Sequence, residues 1–165
     1  MVNTELTRKA MNIAYNAHMN QFDKAGVPYI YHPIHLAEQM DSETECIVAL
    51  LHDVVEDTEV TFEQLEKDFP KEVIESIRLL THDKDVDYKK YIKELSQNPI
   101  AKKVKIADLL HNSDETRLEK ITIKDVARRE RYKKALEFLQ NWKIKLIGGK
   151  NWNVLEKWIN SYCTV

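Results

Sequence analysis

The chain has 165 residues, a formal net charge of −2, 43% hydrophobic residues and 32% charged residues. That balance suits one globular domain with its own core, and it supplies no overall positive field to recruit nucleic acid. No apolar run is long enough for a membrane span and no signal peptide is visible, so membrane association is not expected and the expected location is cytoplasmic.

Only three glycines and four prolines occur, and alternating β-branched runs are few. The expected fold is therefore all-α. Asn3 or Thr4 can cap a first helix running to about residue 18. Residues 19–28 read as a polar loop ending at Gly26-Val27-Pro28. A short helix should follow His32-Pro33, because proline suits a first helical turn. Asp41-Ser42 breaks it, and Ser42 or Thr44 starts the next helix. Thr61-Phe62-Glu63-Gln64 has capping-box spacing, with its helix reaching about residue 69. Pro70 begins a helix to about 81, and residues 88–95 form another. Pro99 opens the helix that carries Asp108. Residues 122–145 form a long amphipathic helix with Val126, Ala135, Leu136 and Leu139 among its apolar positions. Gly148-Gly149 stops it, and a last short helix at about 151–162 carries Trp152, Leu155, Trp158 and Ile159. No repeat, low-complexity tract or linker divides the chain. One domain over 1–165 is expected, with its core at about 4–145. Cys46 and Cys163 are too few for a disulfide framework, and Cys46 reads as a small core residue.

The segment Leu50-Leu51-His52-Asp53-Val54-Val55-Glu56-Asp57-Thr58 carries the most chemistry. On a continuous helix, Glu56, Asp53 and Asp57 fall roughly 40°, 100° and 140° from His52, all on one side. Ile47, Val48, Leu51, Val54 and Val55 fall on the other, which can face a core. Buried carboxylates need a metal, a cation or a wet cleft. The plain alternative is a solvated helix face. His32 and Asp108 argue against it. With His52 and Asp53 they make a mixed imidazole and carboxylate set suited to a divalent transition ion that keeps open positions for water.

The order His32, His52-Asp53, Asp108 resembles the HD-domain metal phosphohydrolases. The fuller set is Gly26-Val27-Pro28-Tyr29-Ile30-Tyr31-His32-Pro33, then Ala49 to Thr58, then Lys105-Ile106-Ala107-Asp108-Leu109-Leu110-His111-Asn112. It resembles the (p)ppGpp 3′-pyrophosphohydrolase domain of the RelA/SpoT proteins and the small stand-alone alarmone hydrolases. The resemblance spans about residues 4–139. It implies an HD-type helical bundle around one ion, Mn²⁺ by preference, held by His32, His52, Asp53 and Asp108. It implies Glu56 and Asp57 as the carboxylates that position or deprotonate water. For Asp57 a helix-end turn acid is the alternative. The implied reaction converts (p)ppGpp to GDP or GTP plus pyrophosphate. A chain of this length has no room for the synthetase domain of the long relatives.

Lys24, Lys84, Asn112, Arg128 and Tyr132 match substrate-holding positions of that family. Each of the cations reads equally as a solvated surface residue, and Asn112 as a helix C-cap. His111 lies about 60° off the Asp108 face and reads as structural, as does His18. Where the family usually has cations, this chain has Asp23, Leu109 and Asp114. Those departures leave the metal set untouched but weaken the match to a tetra- or pentaphosphate nucleotide. Two other readings stay open: an HD phosphohydrolase acting on a nucleoside monophosphate or phosphorylated dinucleotide, and a non-catalytic nucleotide or metal sensor. Homo-oligomerisation is left open.

Overall fold

The computed structural model describes residues 1–114, 116 and 121–146, with backbone only for 141–146. Gly148-Gly149, the helix expected at about 151–162 and Cys163 lie outside the described residues. Within them the chain is all-α, with one isolated β-bridge between Phe22 and Pro28. No described helix is long and apolar enough to cross a membrane.

The fold is organised around α3, Glu43–Leu51. Every side chain from Cys46 to Leu51 is buried. A helix that is apolar on all sides can only sit inside, so other helices must surround it. They are α1 (Glu5–Ala17), α2 (Tyr31–Glu38), α6 (Lys71–Leu80) and α8 (Pro99–Ser113). The α1 face is built from Ala10 and Ala14, small enough for close approach. From the other elements come Leu36 and Ala37, Val73, Ile74, Ile77 and Leu80, and Ala101 and Val104. A second cluster joins Tyr91, Ile92 and Leu95 of α7 (Tyr88–Leu95) to Ala135 and Leu139 of α9 (Ile123–Leu146). Its α8 member is Leu109, so α8 belongs to both clusters.

The caps follow the sequence. Thr4 caps α1 through its bond with Thr7, and Ser42 caps α3 through a reciprocal pair with Glu45. Glu45 also takes Lys103 Nζ at 2.6 Å, which ties the start of α3 to α8. The Asn98 side chain accepts from Ile100 N and Ala101 N at 2.9 Å, with Pro99 at the first helical position.

Three elements differ from expectation. The helix bearing His52 is not continuous: α3 ends at Leu51, and the four-residue α4, Val54–Asp57, follows. Asp53 sits between them at φ −103° and ψ −4°, so the four ionisable residues do not share one helix face. The helix after Thr61 is only α5, Phe62–Leu65. Pro70 disfavours helical geometry at Phe69, and the backbone instead turns with Asp68 N and Phe69 N both donating to Leu65 O at 3.0 Å. On α9, Val126 is exposed rather than core-facing, while Ala135 and Leu139 are buried as expected.

The loop between α1 and α2 is held locally. Asp23 Oδ1 accepts from Ala25 N and Val27 N, each at 2.9 Å. Gly26 lies between them at φ +76°, a conformation that strains residues with a Cβ.

Leu50 is wholly buried in α3. Leu50→Ala should lower stability by about 2–5 kcal/mol, as large-to-small changes in packed cores do. Glu75→Ala on an exposed face should change it by less than about 0.5 kcal/mol. Urea unfolding followed by helical circular dichroism reads both. Equal midpoints for the two variants would contradict a core centred on α3.

Candidate active site

His52 is the residue that ends α3, and it is 1% exposed. Its Nδ1 lies 2.8 Å from Ala49 O. Only an N–H can make that bond, so Nδ1 carries a proton and Nε2 is the nitrogen turned toward the carboxylates, where a proton or a cation can sit. Nε2 lies 2.9 Å from Asp53 Oδ2, without hydrogen-bond geometry. The break between α3 and α4 brings these two neighbours together.

His32, in the first turn of α2, is also buried. Its Nε2 is 3.3 Å from Asp108 Oδ1 and 3.8 Å from Asp53 Oδ2, again with no hydrogen-bond partner. Ligand atoms of His32, His52 and Asp53 all lie within 4.8 Å of one another. Asp108 falls outside that tight trio and meets it through His32. Two buried imidazole nitrogens facing two carboxylates, with no proton shared in good geometry, fit a divalent cation. All four sequence-predicted metal residues are thus brought to one place.

The electrostatics agree. Burial pushes the His52 imidazole down, but the charge and contact of Asp53 outweigh it and raise its pKa to about 9. Burial pushes Asp53 up, but His52 outweighs that and lowers it to about 2. Asp108 is likewise raised by burial but held well below the usual carboxylate range, first by Lys105. The cluster therefore favours positive charge beside ionised carboxylates.

Three residues that the sequence reading did not place in the site support these groups, and His111 among them was read as structural. Tyr29 donates its hydroxyl to Asp53 Oδ2. Burial and the neighbouring Asp53 raise its pKa far above the usual phenol value, so it remains a donor. Lys105 Nζ lies 2.8 Å from Asp108 Oδ2, with its side chain 15% exposed. His111 Nδ1 lies 2.9 Å from His32 Nδ1, where one ring donates and the other accepts. His111 therefore braces His32 directly. Its spacing on α8 hid this, because the partner comes from α2. Tyr29 and Lys105 each stand three residues before a candidate ligand, the only signal the sequence offered.

Glu56 and Asp57 lie on α4, beyond the cluster. Glu56 Oε2 accepts from His82 N at 2.9 Å, leaving Oε1 without a hydrogen bond among the described residues. Partial shielding from water raises the Glu56 pKa, and the His82 N–H only partly opposes it. Asp57 is raised first by the same shielding and then by Asp53. The charge of Lys84 acts on Asp57 in the opposite sense, which puts Lys84 on the α4 side of the site.

Lys24, Asn112 and Arg128 line one cleft of about 250 Å³, together with Tyr29 and His111. Asn112 is not a helix C-cap, because α8 ends one residue later and Asp114 takes that position. Its Nδ2 donates to Asp108 Oδ1 at 2.5 Å. Lys84 and Tyr132 do not line this cleft. Tyr132 packs on the second core cluster and lies 5.9 Å beneath the Arg128 guanidinium. The departing residues have structural partners: Asp23 organises its loop, Leu109 is buried, and Asp114 Oδ1 accepts from Thr116 N at 3.0 Å.

Residues 10–102 match the family model of the HD domain. The chain belongs to the HD-domain family. Among curated relatives, the zebrafish (Danio rerio) protein named guanosine-3′,5′-bis(diphosphate) 3′-pyrophosphohydrolase MESH1 is 36% identical over 122 residues, covering 66% of this chain and 68% of that protein. A Borreliella burgdorferi protein named guanosine-3′,5′-bis(diphosphate) 3′-pyrophosphohydrolase is 38% identical over 122 residues, covering 63% of this chain but 18% of that protein. The Escherichia coli protein named bifunctional (p)ppGpp synthase/hydrolase SpoT is 35% identical over 121 residues, covering 64% of this chain and 17% of that protein. This HD domain thus spans less than a fifth of those two longer relatives. A solved structure described as a metazoan ortholog of SpoT superposes with a TM-score of 0.72 at 23% identity, covering 100% of this chain and 99% of that one. That likeness supports the all-α HD fold.

Divalent ions should stabilise this HD domain through the His32–His52–Asp53 cluster. At a hundredfold excess over Kd the gain is about 2.7 kcal/mol, read as a rise in Tm. His52→Gln and Asp53→Asn should each abolish the rise. A shift of equal size in either variant would remove that residue from the metal set.

Proposed function

We propose that this HD domain is a metal-dependent phosphohydrolase that removes pyrophosphate from the 3′ position of (p)ppGpp, leaving GDP or GTP. The observation that carries the proposal is the buried pair of imidazole Nε2 atoms facing Asp53 and Asp108, with Glu56 one short helix away. The name of the zebrafish relative supports the choice of substrate. His32, His52, Asp53 and Asp108 would hold the ion, and the mixed nitrogen and oxygen set suits Mn²⁺. When bound, such an ion lowers the pKa of water and offsets charge on a phosphoryl group.

The chain's own residues do the rest. Glu56 is anchored at Oε2 by the His82 N–H, so Oε1 can accept a proton from the attacking water. Asp57 orients that water from the next position. The water oxygen bonds to the phosphorus beside the ribose 3′-oxygen, the bond from phosphorus to that oxygen breaks, and the oxygen leaves with a proton. Tyr29 and Lys105 keep Asp53 and Asp108 aimed, and His111 does the same for His32. Asn112, Lys24 and Arg128 border the path from the ion to solvent and would hold the nucleotide, with Lys84 and Tyr132 at its margins. We assign the catalytic unit to a single domain with its core at residues 4–145.

A second reading keeps the chemistry and changes the substrate to a less charged nucleotide. Asp23 and Asp114 favour it, because both line the cleft where the phosphates would lie. Purified protein with Mn²⁺, tested on a nucleotide panel, decides between them. Pyrophosphate release from ppGpp at the highest kcat/KM supports the first reading. Hydrolysis of a nucleoside monophosphate with ppGpp untouched would replace it.

Glu56→Gln should retain metal-induced stabilisation and lose turnover by at least about 10²-fold, the lower range for a lost general base. Near-normal turnover with metal content unchanged would exclude Glu56 as the base.

Glu56 must be ionised to accept a proton, and its pKa is raised. Activity should therefore fall as pH decreases, with the acid limb of kcat/KM above the ordinary glutamate value of about 4.3. An acid limb at or below that value would contradict the assignment.

A further inference from the structure

The cleft beside the metal cluster ends in two cations that are already engaged. Tyr29, His111 and Asn112 form its inner wall, and they touch Asp53, His32 and Asp108 respectively. Lys24 and Arg128 form its outer end. Lys24 comes from the loop before α2, and Arg128 from the second turn of α9.

Between them stands Asp125, whose side chain is 7% exposed. Its two oxygens do separate work. Oδ2 accepts from Thr122 N at 3.1 Å and Thr122 Oγ1 at 2.6 Å, closing the first turn of α9. Oδ1 takes Lys24 Nζ at 2.7 Å and Arg128 Nη2 at 3.3 Å. An internal carboxylate thus sits where an anionic ligand would meet both cations. Lys24 is 57% exposed and Arg128 27%, so a ligand can reach them. Carboxylate and phosphate compete for the same charge-assisted bonds.

We propose that Asp125 is a specificity-determining residue that competes with the ligand for the Lys24–Arg128 clamp, so that phosphates far from the scissile bond gain this protein little affinity. The inference rests on the proposed nucleotide hydrolysis for the identity of its ligand, and on the geometry of the clamp for the competition itself. The cleft connects the residues that touch the His32–His52–Asp53 cluster with the clamp, so a nucleotide seated with its 3′ group at that cluster and its 5′ end along the cleft would meet Lys24 and Arg128. A 5′ phosphate arriving there meets cations whose charge Oδ1 of Asp125 already shares, and it must compete with that carboxylate for them. Asp23 and Asp114, which line the same cleft, add to the opposing charge.

Asp125→Asn separates the two roles of the carboxylate. An amide oxygen can still accept from Thr122, while the amide nitrogen cannot hold Lys24 or Arg128. The test uses the full chain with Mn²⁺ and guanosine 3′-diphosphates carrying none, one, two or three phosphates at the 5′ position. In Asp125→Asn the ratio of KM for the 5′-hydroxyl substrate to KM for the 5′-diphosphate should rise about tenfold over wild type, the size of one charge-assisted bond. Adding Lys24→Ala should remove most of that gain. Thr122→Ala disturbs the same helix end but leaves the carboxylate on the clamp, and should show no gain. An unchanged ratio in Asp125→Asn, a weaker 5′-diphosphate, or an equal gain in Thr122→Ala would each overturn the proposal.

Calorimetric binding of GDP to wild type and Asp125→Asn reads the clamp without turnover. About tenfold tighter binding to the variant supports the competition, and unchanged or weaker binding overturns it. If wild type hydrolyses none of the four substrates, the proposed function fails and the GDP measurement alone decides the role of Asp125.

Discussion

Two carboxylates withdrawn from water, Asp53 half-buried and Asp108 buried, set the terms for this molecule. An ionised carboxylate away from water is costly unless opposite charge and hydrogen bonds surround it. Here Asp53 receives the Tyr29 hydroxyl and faces His52, while Asp108 is held between Lys105 and Asn112 and faces His32. The Nε2 atoms of both histidines remain without a hydrogen bond among the described residues. The protein carries an arrangement that is satisfied when a cation joins the two rings and the carboxylates. Such a site costs stability when empty, and that cost becomes affinity for the ion.

The site is accurate because of where the core sits. Residues Cys46 to Leu51 of α3 are buried on every side, so α3 has little freedom to tilt or slide. His52 is the first residue beyond that rigid segment, and its Nδ1 is tied back to Ala49 O. The chain then breaks at Asp53 instead of continuing as helix. A continuous helix would turn Asp53 roughly 100° away from His52, whereas the break lets the two side chains meet. Asp53 is braced by Tyr29 from the loop before α2 and His32 by His111 from α8, while Asp108 is held by Lys105 and Asn112 of its own helix. This is how a small domain can hold ligands tightly while α4, with Glu56 and Asp57, stays accessible to water.

Charge is distributed unevenly around this centre. Lys105 is largely shielded and committed to Asp108, and that partner outweighs the shielding and raises its pKa well above the usual lysine value. The outer cations Lys24 and Arg128 are accessible yet share Asp125. The inner site is thus prepared for a cation and the outer cleft only partly prepared for an anion. Asp23 and Asp114, which line the same cleft, are used by the fold itself as loop and helix-end acceptors. Their backbone duties give the fold its own reason to keep acids in this cleft.

Much of this was legible in the order of residues. The apolar stretch before His52, the candidate caps Thr4 and Ser42, Pro99 at a helix start and the scarcity of glycine all act locally, so an all-α fold and most helix starts follow from the chain alone. The motif order that resembles the HD domains led to expecting His32, His52, Asp53 and Asp108 together, and the structure does bring these four side chains to one place. What needed the tertiary structure was every contact between distant segments. His111 is about 79 positions from His32 in sequence yet bonded to it in space. Asp125 lies 101 positions from Lys24 and neutralises it. The end of α3 at Leu51, and the short α5, depend on backbone geometry and on neighbours that periodicity does not encode. Local sequence determines which residues can be helical, capped or metal-binding. Only packing decides which of them meet, because a pair contact between elements is a property of how helices cross and not of either helix alone.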